Sequence, residues 1–364
     1  MAIFQIGLLC FVLFTGGVAC ALLGAGDLSN IGTPNPSPSI DIITDQASGE
    51  KTATLQAIST GTPEALISPN IQAATGFIWL PGKNEVLLTT ENEIQALSLS
   101  PSLAPSDLMP GTGNITAQNP SLLSVARDKA IVSWADDERV ISVWQASPNP
   151  QATTIVESNS PITGMALSAL GDQLAYSAYD QKIAIWDIVD NQMLDTWQAP
   201  SWLANLSYSP DGSQIGGADL ANFIVYIFDS KTGAIERTLQ WSEDASPALY
   251  GVFFSPDWRY LAWVARNSVQ IMALESGDLG PQLVHEDFIN AVAWSPDGNT
   301  LAVGAAGTVD NAFVPEIVIW DVQTGQPVET RGEQGPVVSL SFSPDGSQLG
   351  ILDSNGEFQI WNLK

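Results

Sequence analysis

The sequence predicts an all-β fold, a seven-bladed β-propeller built from four-stranded antiparallel blades. Three observations predict it. A Ser-Pro-Asp-Gly turn phrase recurs, short alternating strands flank each copy, and the copies follow one another at intervals of 40 to 48 residues. A repeat of this length is typical of propellers and solenoids. The proline position of the phrase falls at residues 81, 126, 169, 210, 256, 296 and 344.

Each turn phrase predicts a hairpin between the first and second strands of a blade. Three copies are complete, at 209–212, 295–298 and 343–346, and a fourth, at 255–258, has Trp258 in the glycine place. Weaker copies begin at Leu80, Val125 and Ser168. Proline presets φ and Asp-Gly tolerates unusual dihedral angles, so the phrase favours a tight turn.

A third strand follows each hairpin and ends in a bulky residue, and a fourth strand completes the blade. In six copies the bulky residue stands 16 to 18 positions after the turn, and in the sixth copy it stands 24 positions after. We therefore expect a loop insertion at 304–315. The bulky residues are Leu97, Trp144, Trp186, Phe228, Met272, Trp320 and Trp361.

The seventh copy stops after its third strand, at Lys364. Residues 64–68, which precede the first copy, occupy the place of a fourth strand in the repeat. We expect this N-terminal strand to complete the last blade, so that the ring closes without an open edge. The propeller then spans 63–364.

Residues 1–26 contain no charged side chain, and their apolar core has the length of a signal-peptide h-region. Three outcomes are open. Gly17-Val18-Ala19-Cys20 resembles a bacterial lipobox with Cys20 lipidated, Ala19-Cys20-Ala21 suits a general signal peptidase, and the uncleaved segment is long enough for a membrane anchor. Residues 27–62, rich in Pro, Ser and Thr, predict a flexible linker. All three outcomes place the propeller outside the cytoplasm.

Charge and composition exclude several functions. The chain has 12 Lys+Arg, 39 Asp+Glu, a formal net charge of −27 and one histidine, His285. So acidic a chain cannot neutralise a phosphate backbone, which argues against nucleic-acid binding. One histidine excludes a multi-histidine metal site, and we expect neither a metal nor a cofactor.

The repeats resemble the WD-repeat family, whose third strands end in Trp-Asp. Trp186-Asp187 and Trp320-Asp321 match that mark, whereas the family's Gly-His dipeptide is missing and His285 alone falls near its place. The resemblance implies a divergent, WD-like propeller of bacterial, extracytoplasmic type, in which the hydrogen-bond network of that histidine is lost. Because the marks recur, Trp144, Trp186, Trp320 and Trp361 are interpreted as packing between blades.

The resemblance also implies that one face carries the connections from fourth to first strands and from second to third strands. Non-repeating aromatic and acidic residues on these connections suit a protein or peptide partner, in particular a basic one. We expect a monomeric, non-catalytic interaction scaffold; the alternative is a propeller that binds or hydrolyses a small molecule or glycan with carboxylates at the channel mouth. The candidate residues are Trp202, Trp241, Glu243, Asp244, Tyr250, Glu286, Asp287, Phe288, Asp136, Asp137, Tyr179, Asp219 and Phe223.

Overall fold

A computed structural model of the 364-residue chain gives the arrangement of its strands. The structure describes residues 11–13, 17–19, 65–67, 74–82, 85–90, 92–99, 115–117, 120–145, 151–241, 249–285, 288–309, 312–333 and 335–363. Within these ranges every regular element is a strand.

Seven four-stranded antiparallel units follow one another along the chain. Blade 1 contains β4 (Gly76–Trp79), β5 (Glu85–Thr89), β6 (Glu93–Ser98) and β7 (Ile115–Thr116). Blade 2 contains β8 (Ser121–Val125), β9 (Ile131–Asp136), β10 (Val140–Gln145) and β11 (Gln151–Glu157). Blade 3 contains β12 (Ile162–Leu167), β13 (Gln173–Ala178), β14 (Lys182–Asp187) and β15 (Gln192–Gln198). Blade 4 contains β16 (Ala204–Tyr208), β17 (Gln214–Asp219), β18 (Ile224–Asp229) and β19 (Ile235–Gln240).

The remaining blades repeat this order. Blade 5 contains β20 (Gly251–Phe254), β21 (Tyr260–Val264), β22 (Ser268–Ala273) and β23 (Leu279–Val284). Blade 6 contains β24 (Phe288–Trp294), β25 (Thr300–Val309), β26 (Ala312–Asp321) and β27 (Gln326–Gly332). Blade 7 contains β28 (Val337–Phe342), β29 (Gln348–Asp353), β30 (Phe358–Asn362) and β3 (Ala65–Ile67). The predicted seven-bladed propeller is confirmed.

Closure by an N-terminal strand is also confirmed. Strand β3 pairs with β30 in antiparallel register, Ala65 opposite Ile360 and Ile67 opposite Phe358. It takes the outer place that a fourth strand fills in the other blades. The ends of the propeller are therefore joined within one sheet, and the last blade gains the backbone partner that a three-stranded blade would lack.

Burial falls from the channel to the rim. The first strands of adjacent blades lie side by side around the channel, and β20, for example, is buried along its whole length. The fourth strand β15 is almost entirely exposed. Each large apolar side chain buried between blades contributes about 1.5–3 kcal/mol, so the core of the ring holds the blades together.

Serine and aspartate side chains close the first hairpins of blades 3 to 7. Ser209 Oγ donates to Asp211 at 2.6 Å and accepts the Gln214 N–H at 2.9 Å. Ser343 and Asp345 repeat the arrangement. The Ser209 hydroxyl and then the Ser213 N–H lower the pKa of Asp211 below its ordinary value of 3.8. The turn aspartates thus have the structural role expected of them.

Blade 6 departs from the prediction of a loop insertion. The ladder between β25 and β26 continues from Gly304 opposite Ile317 to Val309 opposite Ala312. The extra residues therefore lengthen a hairpin rather than form an irregular loop, because small and β-branched residues here still satisfy their backbone groups by pairing.

Two short strands come from the predicted leader. Strands β1 (Phe11–Leu13) and β2 (Gly17–Ala19) form a hairpin, and β2 adds to β24 with Val18 opposite Val292. The sheet of blade 6 therefore has six strands. Among the described residues, no helix has the length and apolar character needed to span a bilayer. Cys20 and the predicted linker 27–62 lie outside the described residues.

Candidate functional site

The loop face is the side of the ring that carries the fourth-to-first connections and the second-to-third turns. It brings together two of the predicted partner-binding residues, Tyr179 and Trp202. Their ring centroids are 5.5 Å apart with the planes inclined at 49°. Tyr179 is 56% exposed, and Trp202 is partly exposed. The pair therefore presents aromatic surface to solvent at the boundary of blades 3 and 4.

Hydrogen bonds from blade 3 fix the connection that carries Trp202. The carbonyl of the next residue, Leu203, accepts the Thr163 hydroxyl at 2.6 Å and the Ser177 hydroxyl at 2.8 Å. Leu203 itself is fully buried. Trp202 thus stands on a connection anchored at its next residue, which limits the conformational entropy that binding would cost.

The turn that carries Tyr179 is equally constrained. Its N–H donates to the Pro161 carbonyl at 3.0 Å, and Gln181 adopts a left-handed φ of 65°. The neighbouring Asp180 carboxylate lies 3.1 Å from the Lys182 ammonium. Both charged groups are well exposed, so the pair contributes little to stability and a stronger partner can displace it.

A second exposed ring lies on the connection between blades 5 and 6. Phe288 is 39% exposed, and the Arg266 guanidinium lies 3.8 Å from its ring centroid. The Ile289 N–H donates to the Arg266 carbonyl at 2.9 Å. Phe288 therefore already has a cation on its ring, whereas no Lys or Arg of the described residues lies over the rings of Tyr179 and Trp202.

Other members of the predicted set face inward. Trp241 is 5% exposed and packs on Trp263 with centroids 5.8 Å apart. Phe223 is partly buried in the same apolar cluster, and its carbonyl accepts the Trp241 N–H. Tyr250 is also partly buried. Trp241 therefore stabilises the packing of blades 4 and 5 and does not present a surface to a partner.

The predicted carboxylates mainly hold their own turns. Asp219 is 2% exposed and accepts the N–H groups of Ala221 and Asn222 at 3.1 Å. Asp136 accepts the Trp134 indole N–H at 2.9 Å. Asp137 is exposed on the turn beside it. Glu243, Asp244, Glu286 and Asp287 lie outside the described residues.

His285 makes a side-chain hydrogen bond, although the missing Gly-His dipeptide predicts that the hydrogen-bond network of this histidine is lost. It is 3% exposed, and its Nε2 accepts the Trp320 indole N–H at 3.1 Å. Its Nδ1 lies 3.9 Å from a Glu316 carboxylate oxygen. The histidine therefore ties the connection before blade 6 to the third strand of that blade, which is a packing role.

The Trp-Asp marks are structural as well. Trp144 and Trp361 are buried, while Trp186 and Trp320 are partly buried against the core. Asp187 accepts the N–H groups of Val189 and Asp190. The Thr324 N–H and then its hydroxyl lower the pKa of Asp321. Among the described residues no group of three or more His, Cys, Asp and Glu side chains is placed to hold a metal ion.

Sequence comparison agrees with this geometry at blade 6. Residues 281–310, which include His285, match the family WD domain, G-beta repeat. This stretch of the chain is similar to a WD repeat.

Known WD-repeat proteins are similar to longer stretches of the chain. Periodic tryptophan protein 2 of Arabidopsis thaliana is 24% identical over 65% of this chain and 21% of its own length. An uncharacterized WD repeat-containing protein of Synechocystis is 29% identical over 40% of this chain and 39% of its own. A WD repeat-containing protein of Schistosoma mansoni is 25% identical over 51% and 60%, respectively. The chain thus spans less than two thirds of the length of each of these relatives.

Proposed function

We propose that this WD-repeat propeller is a non-catalytic interaction scaffold that binds a protein or peptide through its loop face. The observation that carries the proposal is the exposed Tyr179–Trp202 pair on two hydrogen-bonded connections. Within the described part of the chain this exposed aromatic pair is found at one blade boundary, whereas the structural marks recur around the ring. Rigid aromatic rings supply contact area at low entropic cost and are frequent among residues that dominate binding energy.

A basic partner suits this surface. The faces of Tyr and Trp rings attract ammonium and guanidinium groups, and Asp180 adds a carboxylate beside them. The formal net charge of −27 accelerates encounter with a positively charged partner. The partner would present a Lys or Arg side chain to the rings.

We further propose that the propeller is displayed on the outer side of a bacterial membrane. The support is the uncharged leader with its lipobox-like Gly17-Val18-Ala19-Cys20, together with the similarity to a cyanobacterial relative. Cleavage before Cys20 removes β1 and β2 and leaves blade 6 with its own four strands, β24 to β27. Labelling cells with a fatty-acid analogue tests this proposal. Wild type should incorporate the label and fractionate with membranes, and Cys20→Ala should not incorporate it. Label on Cys20→Ala, or none on wild type, overturns the lipidated form.

The binding proposal is tested by quantitative affinity capture from the membrane fraction of expressing cells. The double variant Tyr179→Ala, Trp202→Ala should recover at least about tenfold less partner than wild type. The control, Val189→Ala, Met193→Ala, changes two exposed apolar residues that lie away from the pair and should recover the wild-type amount. Equal recovery by wild type and the loop-face variant overturns the proposed surface.

A further inference from the structure

A cavity of about 330 Å³ opens on the turn face, the side that carries the Ser-Pro-Asp-Gly hairpins. Its wall contains the last residue of the first strand from all seven blades, among them Trp79, Tyr208, Phe254 and Trp294. Five turn prolines form its rim: Pro81, Pro210, Pro256, Pro296 and Pro344. Its volume and apolar lining are those of a small-molecule site, and it lies opposite the loop face.

Arg127 extends over the mouth of this cavity. It stands in the turn of blade 2, in the aspartate place of the repeated phrase, so one blade reverses the charge found in four others. Its Nη1 donates to the Pro256 carbonyl of blade 5 at 3.0 Å. Blades 2 and 5 are separated by two blades around the ring, so the side chain crosses the opening instead of bonding within its own turn.

Trp258 stands in the glycine place of the turn phrase of blade 5, across the cavity mouth from the turn that carries Arg127. It has a φ of 60°, whereas the equivalent Gly212, Gly298 and Gly346 have φ between 68° and 73°. A left-handed conformation is unfavourable for a residue with a Cβ, by about 1 kcal/mol or more. The indole stacks on Phe254 with centroids 5.2 Å apart. Two non-repeating side chains therefore flank one cavity.

We propose that this cavity binds a small apolar carboxylate, an aromatic acid being the simplest case. The Arg127 guanidinium pairs with the carboxylate, and the ring of strand-end side chains with Trp258 encloses the apolar part. Among the described residues that line the cavity, Arg127 is the only Lys or Arg. It has five N–H donors and uses one on Pro256, so donors are left for bidentate recognition of an anion.

The geometry favours an anion over a cation. Asp128, the neighbouring carboxylate, has its N–H bonded to the Ala169 carbonyl of the adjacent blade 3 at 3.0 Å. It is therefore held at the rim, whereas Arg127 reaches across the opening. The net charge of −27 repels anions at long range. The apolar part of the ligand must then supply most of the affinity, and a small hydrophilic anion such as acetate should bind poorly.

Isothermal titration of the purified protein tests the proposal with three probes that differ in charge: 3-phenylpropanoate, its amide and 3-phenylpropylamine. The carboxylate should bind most tightly, and the amine most weakly. Arg127→Gln should weaken carboxylate binding about tenfold and leave amide binding unchanged, since a charge-assisted hydrogen bond is lost. Trp258→Gly restores the glycine of the repeated phrase and should weaken the binding of the carboxylate and of the amide.

Arg139→Gln is the matched control. Arg139 is also exposed, belongs to the same blade, and donates its Nη1 to a backbone carbonyl, that of Asn159, at 2.8 Å on the loop face. It should bind the carboxylate as wild type does. The proposal is overturned if no probe binds, if the amine binds as tightly as the carboxylate, or if Arg127→Gln and Arg139→Gln bind alike. None of these outcomes depends on the loop-face partner.

Discussion

Tyr208 carries a buried hydroxyl that makes no hydrogen bond to any residue that the structure describes. Burial and then the Asp172 carboxylate raise the pKa of Tyr208 above its ordinary value, so the side chain stays neutral. Removing an unsatisfied buried hydroxyl relieves its desolvation cost. Tyr208→Phe should therefore raise the free energy of unfolding by about 1 kcal/mol, measured by denaturant titration.

Thr163→Val should have the opposite effect on stability, because the Thr163 hydroxyl has a hydrogen-bond partner. It removes a hydroxyl that donates to the Leu203 carbonyl at 2.6 Å, while the shape of the side chain is nearly unchanged. It should lower the free energy of unfolding by about 1 kcal/mol. If Tyr208→Phe destabilises the protein as much as Thr163→Val does, the Tyr208 hydroxyl has a partner in solution.

Single residues were predictable from sequence where their partners are local. Ser209 and Asp211 bond within one turn, and the phrase alone indicates that role. The position of Trp241 on a fourth-to-first connection predicts a residue of the loop face, yet its ring packs against Trp263 of the next blade. Its burial depends on how two blades meet, which local sequence does not specify.

Within an element, glycine marks where a neighbouring blade approaches. Gly216 lies in β17, and a Cβ built there would lie 2.2 Å from Cζ of Phe254 in blade 5. Because Phe254 is 6% exposed and stacked on Trp258, its ring cannot move aside without disturbing the packing. Gly216→Ala should lower the free energy of unfolding by roughly 1–3 kcal/mol.

Gly332 in β27 is the control for that substitution. A Cβ there would meet no described residue within 4 Å, and Gly332 is exposed. Gly332→Ala should leave thermal unfolding unchanged or raise the midpoint slightly, since alanine reduces the entropy of the unfolded chain. Equal midpoints for the two variants would show that Phe254 yields to the extra methyl group.

In blade 6 the repeat predicts where extra residues lie but not which conformation they adopt. The longer spacing in the sixth copy correctly located extra residues between its second and third strands. The spacing does not predict the conformation of these extra residues, because Gly304 to Pro315 mixes small residues and turn formers that suit either a loop or a hairpin. In the structure these residues form a hairpin, since β25 and β26 continue to pair from Gly304 opposite Ile317 to Val309 opposite Ala312.

At the scale of the molecule, the period of the turn phrase predicted the number of blades and the closing strand. The turn-face cavity could not be predicted in this way. It is formed by the ends of seven strands, and Arg127 meets a carbonyl 129 positions away. Arg127 and Trp258 were visible as departures from the phrase, but their shared location required the closed ring.

The closed ring depends on the pairing of β3 with β30. Strand β3 supplies the outer strand of blade 7, so deleting residues 65–67 would leave the edge of β30 unpaired and separate the two ends of the ring. The variant should lose its single cooperative thermal transition, monitored by circular dichroism and by tryptophan fluorescence. Deleting residues 47–49, an equal length within the predicted linker, should preserve the wild-type transition. If both deletions melt as wild type does, blade 7 is stable with three strands and β3 is not what closes the propeller.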